Sequence, residues 1–226
     1  MPASAGLTNE ELAWRVAQEL QDNWVVNVGI GMPLTVLPHL APGKDVIFHS
    51  ENGIIGMGPE LEGVEEPDND LLSAGKRPVS LMPWGSFVHH ADSFALARGG
   101  RLDATILGAY QVASNGDLAN WKLPGARTGS IGGAMDIAVG ARRVLVIMSH
   151  QTREGEPKLL ETLTYPPTAL GVVTKVFTNL GIFAVTKEGF VLEEIAPDVG
   201  VDEVRAATGA ALNVERASRM SLPARS

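Results

Sequence analysis

Residues 8–40 read TNEELAWRVAQELQDNWVVNVGIGMPLTVLPHL, and this stretch decides the fold class. Thr8 and Glu11 have the spacing of a capping box, and the apolar residues that follow recur on one face of a helix. A short apolar run at 25–30 has the length of a strand, and the glycines and proline that end it lead into a second predicted helix at 34–40. Helix, strand, glycine loop and helix in this order predict an α/β domain.

The same alternation continues along the chain. A short helix is predicted at 201–208, and further strands are predicted at 46–49, 79–82, 104–107, 144–147, 175–178 and 181–185. Valine-rich strands that alternate with helices predict an open, mostly parallel sheet with helices on both faces. We expect residues 1–226 to form a single domain, with a frayed tail after about residue 213, where the chain turns basic.

The composition narrows the classes of function. The chain has 226 residues, of which 45% are hydrophobic and 19% charged, so it is not a disordered protein. A net charge of −8 argues against nucleic-acid binding. The absence of cysteine excludes disulfides, cysteine-ligated metals and cysteine nucleophiles. No signal peptide and no apolar run of membrane-spanning length occur, so we expect a cytoplasmic protein that does not bind membranes.

One short motif places a carboxylate where α/β proteins bind ligands. Ser50-Glu51-Asn52-Gly53 directly follows the strand predicted at 46–49. In open α/β sheets, ligands bind at the carboxyl ends of the strands. Glu51 on a sharp turn there can act as a base, a nucleophile or a metal ligand, or can simply cap the next element.

Two glycine-rich turns could bring backbone N–H groups close to an anion. Gly29 and Gly31 follow a predicted strand, but the third glycine of the dinucleotide fingerprint is missing because position 34 is leucine. That loop is therefore an anion contact or a tight turn. Gly132 and Gly133 precede a predicted helix and form an oxyanion hole or phosphate nest, or allow close helix packing.

Metal and serine-hydrolase chemistry have no clear motif. The five histidines show no HExxH spacing, so no metal site is expected. No G-x-S-x-G nucleophile elbow occurs. Residues 60–70 carry six acidic residues and no basic one, which predicts a solvated loop or a mobile segment beside a site.

Several motifs together resemble those of the family I CoA-transferases, specifically the β subunits of the 3-oxoacid group. The resemblance runs from about residue 10 to residue 213. It rests on NVGIGMP (27–33), HSENGIIGMGP (49–59), SAGKRPVSLMP (73–83), HHADSFALARGG (89–100), GDLANW (116–121), GGAMDIAVGA (132–141) and TYP (164–166). The order of SENG followed by GGAMD is the most specific part.

This resemblance implies covalent catalysis. Glu51 would be the nucleophile, forming a mixed anhydride and then a glutamyl-CoA thioester, with Gly132 and Gly133 beside it as oxyanion donors. The pocket candidates are Asn52, Gly53, Gly29 and Gly31, and the apolar side chains expected to exclude water are Ile54, Ile55 and Met57. Coenzyme A would be a substrate, and no metal or redox cofactor would be needed.

The resemblance also implies a partner. We expect an α subunit that supplies much of the CoA site, in a hetero-oligomer of α/β pairs that is active only when assembled. HHADSF, GDLANW and TYP are most similar to the 3-oxoadipate enzymes, which use succinyl-CoA as donor. Acetoacetate or short-chain fatty-acid transfer, acyl-CoA hydrolysis by the same glutamate, a non-catalytic CoA-binding module and, by fold analogy alone, a sugar-phosphate isomerase remain alternatives.

Overall fold

The strands and helices follow the alternation that the sequence predicts. The computed structural model describes residues 6–61, 63, 68 and 70–223. Within them lie the helices α1 (Asn9–Glu19), α2 (His90–Arg98), α3 (Ala134–Gly140) and α4 (Val201–Ala207), and a 3-10 helix (Met32–His39). The strands are β1 (Val25–Val28), β2 (Ile47–Ser50), β3 (Ile54–Glu60), β4 (Val79–Phe87), β5 (Ala104–Leu107), β6 (Gln111–Ala113), β7 (Leu118–Ala119), β8 (Val144–Met148), β9 (Leu159–Leu160), β10 (Val173–Thr178), β11 (Gly181–Thr186), β12 (Gly189–Ile195), β13 (Leu212–Asn213) and β14 (Ser218–Arg219).

Eleven of the described strands form one mixed sheet. Its order is β13-β12-β11-β10-β8-β5-β1-β2-β3-β4, and β14 also pairs with β12. The centre, from β2 through β1, β5 and β8 to β10, is parallel, whereas β3 and β4 on one side and β11 and β12 on the other are antiparallel. Strands β7, β6 and β9 form a second, small sheet. The mostly parallel sheet is therefore confirmed, with antiparallel flanks that the sequence pattern did not predict.

Helices cover both faces of the main sheet, as predicted. Val26 and Val28 of β1 join the main apolar core together with the buried face of α1. Val25 points to the other face, where it packs on a smaller cluster that α2 and α3 build with Leu102. Because successive side chains of a strand point to opposite faces, α1 lies on one side of the sheet and α2 and α3 on the other.

The start of α1 is fixed by the predicted capping box. The Thr8 hydroxyl accepts from the Glu11 N–H at 3.2 Å, and the Glu11 carboxylate accepts from the Thr8 N–H at 2.8 Å. Two N–H groups that have no partner within the helix are thereby satisfied, which stabilises the end of the helix.

The helix predicted at 34–40 is wrong in type and extent. The segment is a 3-10 helix that begins at Met32 and contains Pro38. Proline has no N–H to donate and its ring clashes with the preceding turn, so an α-helix cannot continue through it. The strand predicted at 79–82 extends to Phe87, because it pairs with β3 along its length.

The chain after residue 213 differs from the frayed tail that we expected. Ser218–Arg219 pairs with β12, and Met220 is 4% exposed. The Arg219 guanidinium also donates to three backbone carbonyls, those of Ala196, Pro197 and Val199. The basic residues that suggested a solvated tail thus include one that fastens it to the sheet. Of the acidic stretch at 60–70, residues 62, 64–67 and 69 lie outside the described residues.

Within the described ranges, no helix is long and apolar enough to cross a membrane.

Candidate active site

Glu51 lies on a sharp turn at the carboxyl end of β2. The Gly53 N–H donates to the Ser50 carbonyl at 3.0 Å, and the Gly53 carbonyl accepts from the Val88 N–H at 2.9 Å. Gly53 has φ +116°, and a Cβ there would overlap the Val88 carbonyl oxygen. Only glycine fits this position, so the SENG motif is the sequence that this turn requires.

The turn opens onto a cleft of about 850 Å³ at the carboxyl end of the parallel strands. Its wall includes Gly29, Gly108 and Ser149, the residues that directly follow β1, β5 and β8. Glu51 lines the same cleft. This is the edge at which open α/β sheets bind their ligands, and the volume suits a small molecule.

Gly133 lies against the carboxylate of Glu51. A Cβ built on Gly133 would overlap Glu51 Oε2 and would lie 2.5 Å from Cζ of Phe94. Gly132, next to it, has φ +51° and open space around its Cα. Both glycines line the cleft, so the structure brings Glu51 and the GGAMD turn together.

Other predicted pocket residues lie elsewhere. The side chain of Asn52 is exposed and donates to the Leu72 carbonyl at 2.7 Å, and neither it nor Gly53 nor Gly31 lines the cleft. Their effect on the site is through the shape of the two loops.

The expectation that apolar residues after the motif exclude water is wrong for two of them. Ile54 and Met57 are 2% and 1% exposed in the main core and face away from the cleft. They lie on β3, a strand that continues the sheet, whereas we had expected an apolar loop around the glutamate. Apolar walls of the cleft come instead from Ile30, Leu107 and Trp121.

The surroundings of Glu51 change its acidity. Burial raises the pKa of its carboxyl group, and the nearby charge of His90 lowers it. No hydrogen bond or ion pair to its carboxylate oxygens occurs within the described residues, so the carboxylate is uncommitted.

A chain of hydrogen bonds behind the turn holds its backbone. The Thr105 hydroxyl donates to Asn27 Oδ1 at 2.9 Å, and Asn27 Nδ2 lies 3.2 Å from His49 Nδ1. His49 Nε2 lies 2.8 Å from Ser93 Oγ, which donates to the Glu51 carbonyl at 2.8 Å. All four positioning residues are at most 1% exposed.

The direction of this chain follows from its donors. Asn27 uses its oxygen to accept from Thr105, so its amide N–H faces His49 Nδ1, which must accept. His49 Nε2 therefore carries the proton and donates to Ser93. Burial lowers the pKa of His49 to about 4, which keeps this neutral tautomer at physiological pH.

Motif reasoning missed these positioning residues because three of them lie inside strands and one inside a helix. A signal was present: Asn27 interrupts an apolar strand, and the register puts it beside His49 on β2 and Thr105 on β5. Buried polar side chains in one row of a sheet must satisfy one another.

Comparison with known proteins identifies the family. Residues 9–207 match the model of the coenzyme A transferase family. The chain belongs to the coenzyme A transferase family. It is 46% identical over 214 residues to the β subunit of 3-oxoadipate CoA-transferase from Pseudomonas putida, which covers 94% of this chain and 99% of that protein. The resemblance indicated by the motifs is thereby confirmed.

Two further family members extend the comparison. Identity is 41% over 206 residues with the β subunit of succinyl-CoA:3-ketoacid coenzyme A transferase from Helicobacter pylori, over 91% of this chain and 98% of that protein. The crystal structure of acyl-CoA transferase YdiF from Escherichia coli matches with a TM-score of 0.75 at 18% identity. That match covers 95% of this chain but 43% of the YdiF chain, so this chain spans less than half of it. At this identity the likeness shows the fold alone.

The most deeply buried histidine of this CoA-transferase chain has a structural position. His150 is fully buried and lies 3.0 Å from the hydroxyls of Thr178 and Thr208. The part of the chain that the structure describes contains no group of three or more histidine, aspartate or glutamate side chains that could hold a metal.

Proposed function

We propose that this chain is the β subunit of a heteromeric CoA-transferase that moves CoA from succinyl-CoA to a 3-oxoacid, 3-oxoadipate, through a covalent glutamyl-CoA thioester on Glu51. The observation that carries the proposal is the uncommitted Glu51 carboxylate, held at the end of β2 against Gly133 in an open cleft. The greater identity to a 3-oxoadipate enzyme than to a 3-ketoacid enzyme supports the choice of acceptor.

The reaction is a ping-pong exchange. The Glu51 carboxylate attacks the acyl carbonyl of acyl-CoA, forming a mixed anhydride and releasing CoA thiolate. The thiolate attacks the glutamyl carbonyl, which gives the glutamyl-CoA thioester and the free carboxylate of the donor. The acceptor carboxylate then attacks the thioester, and the released thiolate attacks the acceptor carbonyl of the new anhydride. The new acyl-CoA leaves and Glu51 is regenerated.

Each attack on a carbonyl forms a tetrahedral oxyanion. The N–H groups of Gly132 and Gly133 donate to no acceptor within the described residues, and both glycines line the cleft. They are therefore available to stabilise that charge, and one such donor is worth roughly 3 kcal/mol. Every step uses carboxylate and thiolate chemistry, so the scheme needs no metal or redox cofactor.

The α subunit completes the site in this proposal. The cleft is open on this chain alone, and a glutamyl thioester must be kept from water if transfer is to exceed hydrolysis. We propose that the α subunit closes it, in a hetero-oligomer of α/β pairs that works in the cytoplasm. A chain without cysteine suits a reducing compartment.

The decisive experiment is intact-mass analysis of the α/β complex after incubation with succinyl-CoA. A CoA adduct on this chain is expected for wild type and for Glu188→Gln, an exposed carboxylate control. No adduct is expected for Glu51→Ala, and Glu51→Asp should retain little transfer because its carboxylate is withdrawn by one methylene. An adduct on Glu51→Ala would refute the mechanism. CoA release without an acceptor acid would identify a hydrolase instead.

A further inference from the structure

The cleft that holds Glu51 carries one positive charge. Among the described residues that line it, Glu51 is the only acidic side chain and Lys158 the only basic one. Lys158 belongs to none of the motifs quoted above; it directly precedes β9. An unassigned cation in the cleft of an enzyme with anionic substrates needs an explanation.

The fold fixes Lys158 in place on both sides. Its N–H donates to the His150 carbonyl at 3.1 Å, and its carbonyl accepts from the Val112 N–H at 3.0 Å. Its ammonium group lies 3.3 Å from the hydroxyl of Ser149, which also lines the cleft. The backbone on which this charge stands is therefore rigid.

Lys158 has no partner of opposite charge. None of the ion pairs within the described residues includes it. Burial lowers the pKa of its ammonium group to about 8, and no carboxylate offsets that effect. A half-buried ammonium group that has only a hydroxyl beside it is incompletely satisfied, because it carries three donors. An anionic ligand would satisfy it.

Lys158 and Glu51 stand apart within the cleft. No ion pair joins them, and the pKa of Glu51 responds to burial and to His90 but not to Lys158. A substrate that reaches both must therefore carry an anionic group at some distance from its reacting carboxyl. A dicarboxylic acyl group has this shape, whereas a monocarboxylic group ends in a methyl.

We propose that Lys158, with Ser149 beside it, binds the distal carboxylate of a dicarboxylic acyl group whose other carboxyl is exchanged at Glu51. The proposal rests on the transfer function proposed above and names its substrate class. A phosphate of CoA is the other anion that the same ammonium group could hold, and the two sources predict different kinetics.

The test compares succinyl-CoA with butyryl-CoA, which has a methyl where succinyl-CoA has the distal carboxylate. In the α/β complex, Lys158→Met should lower kcat/KM for succinyl-CoA about 10- to 100-fold, the size of a lost charged hydrogen bond. The value for butyryl-CoA should stay within about twofold of wild type. Lys158→Arg should restore most of the preference, and Lys187→Met, an exposed lysine in the turn between β11 and β12, should change neither value. An equal loss with both donors would mean that Lys158 binds CoA, and the proposal would be overturned.

Equilibrium binding separates this proposal from the catalytic one. Calorimetric titration of the α/β complex that carries Glu51→Gln, with succinate and with butyrate, needs no covalent chemistry. Succinate should bind about 10-fold or more weakly when Lys158→Met is added, with no change for butyrate. Equal succinate affinity with and without Lys158 overturns the subsite, whatever the role of Glu51. A missing CoA adduct in wild type would overturn the transfer mechanism alone.

Discussion

A single methyl group at Gly133 should disable transfer without unfolding the protein. The Cβ of Gly133→Ala would overlap Glu51 Oε2 and lie 2.5 Å from the Phe94 ring, whereas ordinary contacts begin at 3.4 Å. Relief requires the ring and the carboxylate to move by about 1 Å, and a displacement of that size costs on the order of 10²-fold in rate when a reacting group is involved. We therefore expect kcat to fall about 100-fold.

The assay follows the Glu51 adduct and the overall transfer rate in the α/β complex. A matched control is Gly200→Ala, which adds the same methyl at the start of α4, where φ is −89° and nothing lies within 4 Å. This control should keep the wild-type rate. Thermal unfolding of each variant distinguishes a displaced nucleophile from a damaged fold. If Gly133→Ala keeps wild-type transfer at unchanged stability, the contact between Glu51 and Gly133 has no part in catalysis.

Four further predictions follow from the same geometry. Burial raises the pKa of Glu51, so the folded state loses stability as the pH rises through that pKa; Glu51→Gln should raise the melting temperature at pH 7 and not at low pH, and an equal change at both would contradict this. Because the charge of His90 lowers the pKa of Glu51, His90→Gln should move the acid limb of the kcat/KM profile to higher pH; an unmoved limb would exclude this coupling. Ser93→Ala breaks the bond to the Glu51 carbonyl and should lower kcat more than it raises KM, at a stability cost of about 1–3 kcal/mol measured by urea unfolding; a pure KM effect would argue against positioning. The KM for succinyl-CoA should rise as the pH passes about 8, where Lys158 loses its proton and the neighbouring His150, with a pKa of about 4, is already neutral; Lys158→Met should abolish this dependence, and a profile unchanged by that substitution would contradict the reasoning.

The sequence predicted the elements whose determinants are local. The capping box at Thr8 needs two residues three apart, and the structure has it. Glu51 on a turn after a strand needs one polar motif and Gly53, and both are present. The strands of the parallel centre are continuous apolar runs, which is how strands buried on both faces read.

What the sequence could not predict depends on distant residues. The segment from Ile54 reads as a glycine-punctuated loop, yet it is β3, because β2 and β4 supply its hydrogen bonds on both sides. Lys158 lies more than one hundred residues from Glu51 in the chain, and only the sheet order brings both to one cleft. No local pattern contains that information.

The hydrogen-bond chain behind Glu51 explains how the nucleophile is fixed yet remains reactive. A carboxylate held by a salt bridge would be stabilised as an anion and would be a weaker nucleophile. Here the chain ends on the backbone carbonyl of Glu51 through Ser93, so the turn is positioned without any bond to the carboxylate oxygens. Its members are neutral, since burial keeps His49 unprotonated, and they bring no counter-charge to the site. The nearest positive influence, His90, is exposed and therefore screened. The fold thus places its order in the backbone and leaves the charge of Glu51 for the substrate.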